Sequence, residues 1–222
     1  MKNLTISSIL LNSVLVAIIT SFILIVLDSC DTPESGFEPI FDGKTFNGWE
    51  GDTINMWRII DGALVGGSLD EIVPHNDFLC TEKSYTNFIL RLKFKLEGAP
   101  RKNAGVQFRS ARIDDPPYEM IGYQADIAPG IYGHLYDESR RRTFLGEPKF
   151  EDPDSIVNIG GWNDMEVRAE GLNIQIFVNG KNTIDYTEED FNIIQEGVFG
   201  LQIHGGARAL ASYKDILIKE LP

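Results

Sequence analysis

From Phe37 to the end of the chain, apolar residues recur with period two. In Phe88-Ile89-Leu90-Arg91-Leu92-Lys93-Phe94-Lys95-Leu96 every even position is apolar, while Arg91, Lys93 and Lys95 share the other parity. Successive side chains of a strand point to opposite faces, so this segment predicts a strand with one face on a core and one in water. Met165, Val167 and Ala169 alternate with Glu166, Arg168 and Glu170, and Ile174, Ile176 and Val178 with Gln175, Phe177 and Asn179. Gly171-Leu172-Asn173 between these runs predicts a hairpin connection, and Asn179-Gly180 a second turn. Further strands are predicted at Val198–His204 and Tyr213–Leu221, with another at Trp57–Val65 bent by Asp61-Gly62. No long segment keeps a helical period, although residues 187–196 have room for one helical turn. Regularly spaced strands with glycine-rich turns predict an all-β, antiparallel sandwich or barrel. Residues 113–161 read as loop-rich, and long loops in compact domains usually carry function.

Composition narrows the picture. A chain of 222 residues suffices for one domain with a full core and is too short for two large ones. Lys plus Arg total 20 against 33 Asp plus Glu, a net charge of -13 that repels phosphate backbones and argues against a nucleic-acid partner. The apolar run Ile9–Leu27 after Lys2 reads as a targeting segment. Leu27-Asp28-Ser29-Cys30 resembles the bacterial lipobox, so residues 1–29 are expected to be a lipoprotein signal peptide, Cys30 the lipidated residue, 30–36 a polar tether and 37–222 the domain. An uncleaved signal anchor is the alternative, because about 19 apolar residues can cross a bilayer. Both readings put the domain outside the cytoplasmic membrane. The expected location is the bacterial cell envelope, as a periplasmic or outer-membrane lipoprotein touching membrane only through its N-terminal anchor. Cys80 is then a lone cysteine in an apolar context and is expected to be buried.

Several chemistries lack a signal. Gly43-Lys44-Thr45 imitates the end of a phosphate-binding loop, but Glu38 stands where the first glycine is needed and no helix follows. There is no G-x-S-x-G and no H-E-x-x-H, and His75, His134 and His204 are far apart. No cofactor and no metal ligand is therefore assigned; a divalent metal has no sequence feature behind it. The sequence leaves the oligomeric state open.

The parity of three strands points to chemistry. With Val106 and Phe108 on the core, Gln107 and Arg109 face away; with Tyr123, Ala125 and Ile127 on the core, Gln124 and Asp126 do; with Phe199, Leu201 and Ile203, Gln202 and His204 do. Amides, a guanidinium, a carboxylate and an imidazole are groups that hydrogen-bond neighbouring sugar hydroxyls. An ordinary solvated face would look more like Arg91-Lys93-Lys95. The loop Gly133–Arg142 sets Asp137 and Glu138 beside Arg140, Arg141 and Arg142. Either the run neutralises itself in water, or Asp137 or Glu138 supplies an acid/base group that Arg140 positions. Bond cleavage between two carboxyls would make Asp126 the second. Tyr123, Tyr132, Tyr136 and Trp162 are candidate platforms for sugar rings, whereas Trp49 and Trp57 are expected in the core.

These residues also occur in a known order. Phe41-Asp42-Gly43-Lys44 with Asn47-Gly48-Trp49, Trp57-Arg58 with Asp61-Gly62, Gly105–Ser110, Gly122–Ile127, Leu135–Glu138, Gly161-Trp162-Asn163-Asp164 and Gly200–His204 follow one another. In this set the chain resembles the bacterial DUF1080 family, the 3-keto-disaccharide hydrolase domain, over nearly all of 37–222. The resemblance implies a concanavalin A-like lectin/glucanase jelly roll and an envelope protein that cleaves (3-keto) disaccharides or related glycosides. A lipid-anchored carbohydrate-binding module without catalysis is the alternative. Under the first reading Glu138 or Asp137 is the base, Asp126 or His204 the proton donor and Arg109 the electrostatic stabiliser. Gln107, Gln124, Tyr123, Tyr136, Arg140, Gln202 and Trp162 would bind the sugar.

Overall fold

The computed structural model describes residues 35–222, so the expected leader, Cys30 and the start of the tether lie outside the described residues. Fifteen strands follow in order: β1 (Glu38–Pro39), β2 (Trp49–Glu50), β3 (Trp57–Ile60), β4 (Ala63–Ser68), β5 (Asp77–Thr81), β6 (Phe88–Gly98), β7 (Ala104–Arg112) and β8 (Met120–Ile127). Then come β9 (Leu135–Glu138), β10 (Phe144–Leu145), β11 (Asn163–Glu170), β12 (Asn173–Val178), β13 (Lys181–Thr187), β14 (Val198–Ile203) and β15 (Ala209–Glu220). One sheet runs β13-β12-β11-β6-β15-β4-β3, with β1 on β15; the other runs β10-β9-β8-β7-β14-β5-β2. Every pairing is antiparallel, so the fold is the expected jelly-roll sandwich.

The core lies between the sheets and is built from the apolar parities. Phe88, Leu90, Leu92, Phe94 and Leu96 of β6 are buried against Val106 and Phe108 of β7 and Phe199 and Leu201 of β14. The Phe88 ring meets Phe199 edge-on at 4.7 Å and Phe108 at 6.2 Å. Burying each such side chain contributes roughly 1.5–3 kcal/mol. Trp49 and Trp57 are buried with it, and Trp57 Nε1 donates to Asp77 Oδ1 at 2.7 Å, tying β3 of one sheet to β5 of the other.

Three local expectations change. The strand expected at Trp57–Val65 is a hairpin, β3 and β4, because Asp61 (φ 50) and Gly62 (φ 74) both adopt the left-handed conformation that reverses the chain in a two-residue turn. Thr187 ends β13 and residues 188–196 are irregular chain with one turn at 191–193; the helical turn among the described residues is at Pro153–Ile156, capped by Asp152 accepting from the Asp154 N–H at 3.1 Å. The loop-rich region holds β8, β9 and β10, which extend the seven-stranded sheet and carry its outer face.

Candidate active site on the outer face of the seven-stranded sheet

Register lays the polar residues out in rows. Gln124 on β8 stands opposite Gln107 on β7 and Tyr136 on β9; Asp126 stands opposite Gly105, which faces Gln202 on β14; Gly122 stands opposite Glu138. All these positions share the parity pointing away from the core. A directed chain of hydrogen bonds crosses them. Ser110 Oγ donates to Gln107 Oε1 (2.6 Å), Gln107 Nε2 to Gln124 Oε1 (3.1 Å), and Gln124 Nε2 to Asp126 Oδ1 (2.7 Å). All four residues are buried. Gly105 makes the chain fit, since a Cβ there would sit 2.5 Å from Gln124 Cδ.

Gln124 and Asp126 line a cavity of about 340 Å³, which is at the small end of the range for small-molecule sites. On the β9–β10 side it is walled by Tyr136, Glu138, Arg142 and Phe144, and on the other by Asn76, Asn103, Glu119 and His204. Tyr136 and Phe144 meet edge-to-face at 5.2 Å and form its aromatic rim. Burial pushes the Asp126 carboxyl up to about 7; the Gln124 hydrogen bond opposes this and the charge of Glu138 adds to it. Burial also raises Glu138, as does the charge of Glu119, while a backbone hydrogen bond, His204 and Arg142 pull it down. Two carboxyls with raised pKa values facing one cavity are groups suited to exchanging protons with a bound molecule. Among the described residues, no group of three or more His, Cys, Asp or Glu is placed to hold a metal ion.

The structure thus brings together Asp126, Glu138, His204, Gln124 and Tyr136, with Gln107 and Gln202 on the same face beneath them. It sends the other expected site residues elsewhere. Arg109 sits in a bulge (φ 47) where the β7–β8 register shifts, and its guanidinium turns away to Thr86 O (2.8 Å), Gly171 O (2.8 Å), Gln195 Oε1 (2.6 Å) and Asn87 Oδ1 (3.3 Å). Asp137 has the parity of Leu135 and points inward. It is fully buried, with Arg140 Nη2 at 2.8 Å and Arg141 Nε also on it. Arg141 continues to Glu188 Oε2 (2.6 Å), just past β13, and so clasps the two sheets at one edge. Burial opposes ionisation of Glu188, but Arg141 and Tyr123 hold its carboxyl down to about 2. Tyr123 is wholly buried, its hydroxyl donating to Glu188 at 2.6 Å, so its ring is closed to a sugar; Arg140 covers that ring at 4.6 Å, is held by Asp137 and does not line this cavity. Tyr132 packs on Phe94 in the core. Trp162 lies across the sandwich under Lys214 (4.5 Å) and Lys95 (5.6 Å), because β6 and β15 present those lysines on the outer face of the other sheet.

Residues not singled out from sequence complete the cavity. Asn103 and Asn76 continue the outward parity of Gln107 on β7 and Cys80 on β5, so extending those strands would have found them. Arg142 reaches the cavity because Ser139 (φ 56) and Arg142 (φ 55) turn the chain back; it supplies the cation expected from Arg109. Glu119 left no sequence signal. Cys80 is buried beside Met120 and Phe78, and burial pushes its thiol up to about 12.

The family model of the 3-keto-alpha-glucoside-1,2-lyase-like domain matches residues 36–219. No curated protein matches the chain in sequence. Among solved structures, a candidate glycosyl hydrolase from Parabacteroides distasonis superposes with a TM-score of 0.61 at 19% identity, over 84% of this chain and 94% of that one. The carbohydrate-binding module CBM66 from Bacillus subtilis gives 0.60 at 18%, over 78% and 96%. The non-specific endo-beta-1,3(4)-glucanase SCLam of family GH16 gives 0.53 at 11%, over 84% and 93%. At these identities the likeness establishes a shared fold.

Proposed function

The chain belongs to the 3-keto-alpha-glucoside-1,2-lyase-like domain family, and from that premise we propose that its outer-face cavity cleaves the glycosidic bond of 3-keto-glycosides. The observation that carries this is the pairing of Asp126 and Glu138, two carboxyls of raised pKa on one cavity with Arg142 beside them. A ketone at C3 acidifies the C2 proton. Glu138 removes that proton, and Arg142 stabilises the negative charge that develops on the ketone oxygen. The electron pair then forms the C1–C2 double bond and breaks the bond from C1 to the glycosidic oxygen. Asp126, which still holds a proton below about pH 7, protonates the departing oxygen, with His204 as the neighbouring alternative. Addition of water across the new double bond would complete a hydrolysis.

Asp126→Asn and Glu138→Gln should each lower kcat on a 3-keto-glycoside by about 10²–10⁴-fold, measured as release of the C1 substituent. A wild-type rate in either variant would refute the assignment. The second reading, a carbohydrate-binding module without catalysis, draws on the likeness to CBM66. It requires saccharide binding that yields no product. Leu27-Asp28-Ser29-Cys30 supports presentation of the domain at the cell envelope on a lipid; fatty-acid labelling that persists in Cys30→Ala would reject that placement.

A further inference from the structure

One side of the cavity carries two buried acceptor atoms that lack partners, Asn103 Oδ1 and Glu119 Oε2. We propose that it is a subsite for the leaving half of the substrate, and that Glu119 and Asn103 select there a neutral ring rich in hydroxyl donors. This rests on the assignment of Asp126 and Glu138 given above.

Sheet order divides the cavity. Asp126 and Gln124 lie on β8 in the middle, and the second carboxyl and the arginine lie toward β9 and β10. The bond to be broken therefore sits over β8 and β9, and the departing group extends over the ends of β7, β14 and β5. There Asn76 is fixed by two bonds. Its Oδ1 accepts from the Gly205 N–H at 3.0 Å, and its Nδ2 donates to Glu119 Oε1 at 2.9 Å. That grip holds Glu119 in place and leaves its Oε2 buried without a partner. Asn103 Oδ1, on the same wall, is buried and unpartnered too. Behind them Gln202 is fully buried, and neither atom of its amide is paired.

Buried polar atoms without partners are rare because leaving them unpaired is costly, and binding sites keep them for a ligand's groups to satisfy. On the cavity wall the buried unpaired atoms are Asn103 Oδ1 and Glu119 Oε2, both acceptors. A ligand that fits must donate more hydrogen bonds than it accepts from protein donors. Vicinal sugar hydroxyls do so, each bringing one O–H. A phosphate or carboxylate brings acceptors alone and would meet the charge of Glu119. A methyl aglycone brings no donor.

The test compares the full chain acting on methyl 3-keto-glucoside and on a neutral 3-keto-disaccharide. In Glu119→Gln the amide oxygen can keep the bond from Asn76 while the NH₂ replaces an acceptor by a donor at constant size. Asn103→Ala is the second variant. Asn103→Ala should lower kcat/KM for the disaccharide by about tenfold or more, mainly through KM, and leave the methyl glycoside within about twofold; in Glu119→Gln, which also removes a charge that acts on Glu138, the loss on the disaccharide should exceed the loss on the methyl glycoside by about tenfold. Equal losses on both substrates would place Glu119 and Asn103 at the reacting sugar and overturn the subsite, as would no loss on either. Failure of the wild-type protein to turn over both substrates would instead overturn the underlying assignment, and this proposal with it.

Discussion

Replacing Gln124 by leucine removes the N–H that reaches Asp126 Oδ1 at 2.7 Å while keeping a side chain of similar bulk. Both residues are almost wholly buried, Gln124 at 2% and Asp126 at 3% exposure, so water cannot take over the lost bond cheaply. A hydrogen bond to a charged group contributes about 1.5–3 kcal/mol. It favours only the ionised carboxyl, so its loss should raise Asp126 by about one to two pH units from its value of about 7. Carbon-13 titration of the Asp126 carboxyl measures this directly. The alkaline limb of the pH–rate profile should move up in parallel, as the proposed role of Asp126 as proton donor requires. Stability gives an independent sign. Between its ordinary 3.8 and about 7 the folded carboxyl binds more protons than the unfolded one, so this group's contribution to stability falls as pH rises through that window. In the leucine variant the fall should continue to higher pH. A folded variant whose Asp126 titrates unchanged, or lower, would show that the amide chain does not set the proton affinity of the site.

Arg109→Lys should destabilise the protein by roughly 2–3 kcal/mol in denaturant unfolding, because an ammonium cannot span the two carbonyls and two side-chain oxygens that the guanidinium holds. Its kcat/KM should stay near wild type below the transition; a loss matching that of Glu138→Gln would return Arg109 to the chemistry. Asp137→Asn leaves Arg140 and Arg141 beside a neutral group and should cost about 2–4 kcal/mol, seen as a lower melting temperature. An unchanged melting temperature would show that this buried cluster holds little.

The fold was legible because period-two burial is a local property. The alternation of Phe88 to Leu96 is the pattern that register and burial display. Gln124 and Asp126 were legible for the same reason. Arg109 was not, because one residue in a left-handed bulge reverses the parity of the residues after it, and arginine does not announce that conformation. Asp137 and Glu138 looked equivalent while they were read as loop; once β9 is a strand, Leu135 fixes Asp137 inward and Glu138 outward. Glu119 and Trp162 depended on which segment crosses which face, and that is decided by long-range pairing.

The clasp through Arg141 has a consequence for how this surface can vary. Asp137, which anchors that clasp at the rim, and Glu138, which offers a carboxyl to the hollow, are consecutive in the chain. Loosening the fastening at Asp137 would swing Glu138 with it, so durability and reactivity are hinged on a single peptide unit. Variation in specificity has more freedom on the opposite wall, where Asn103 and Glu119 stand outside that joint.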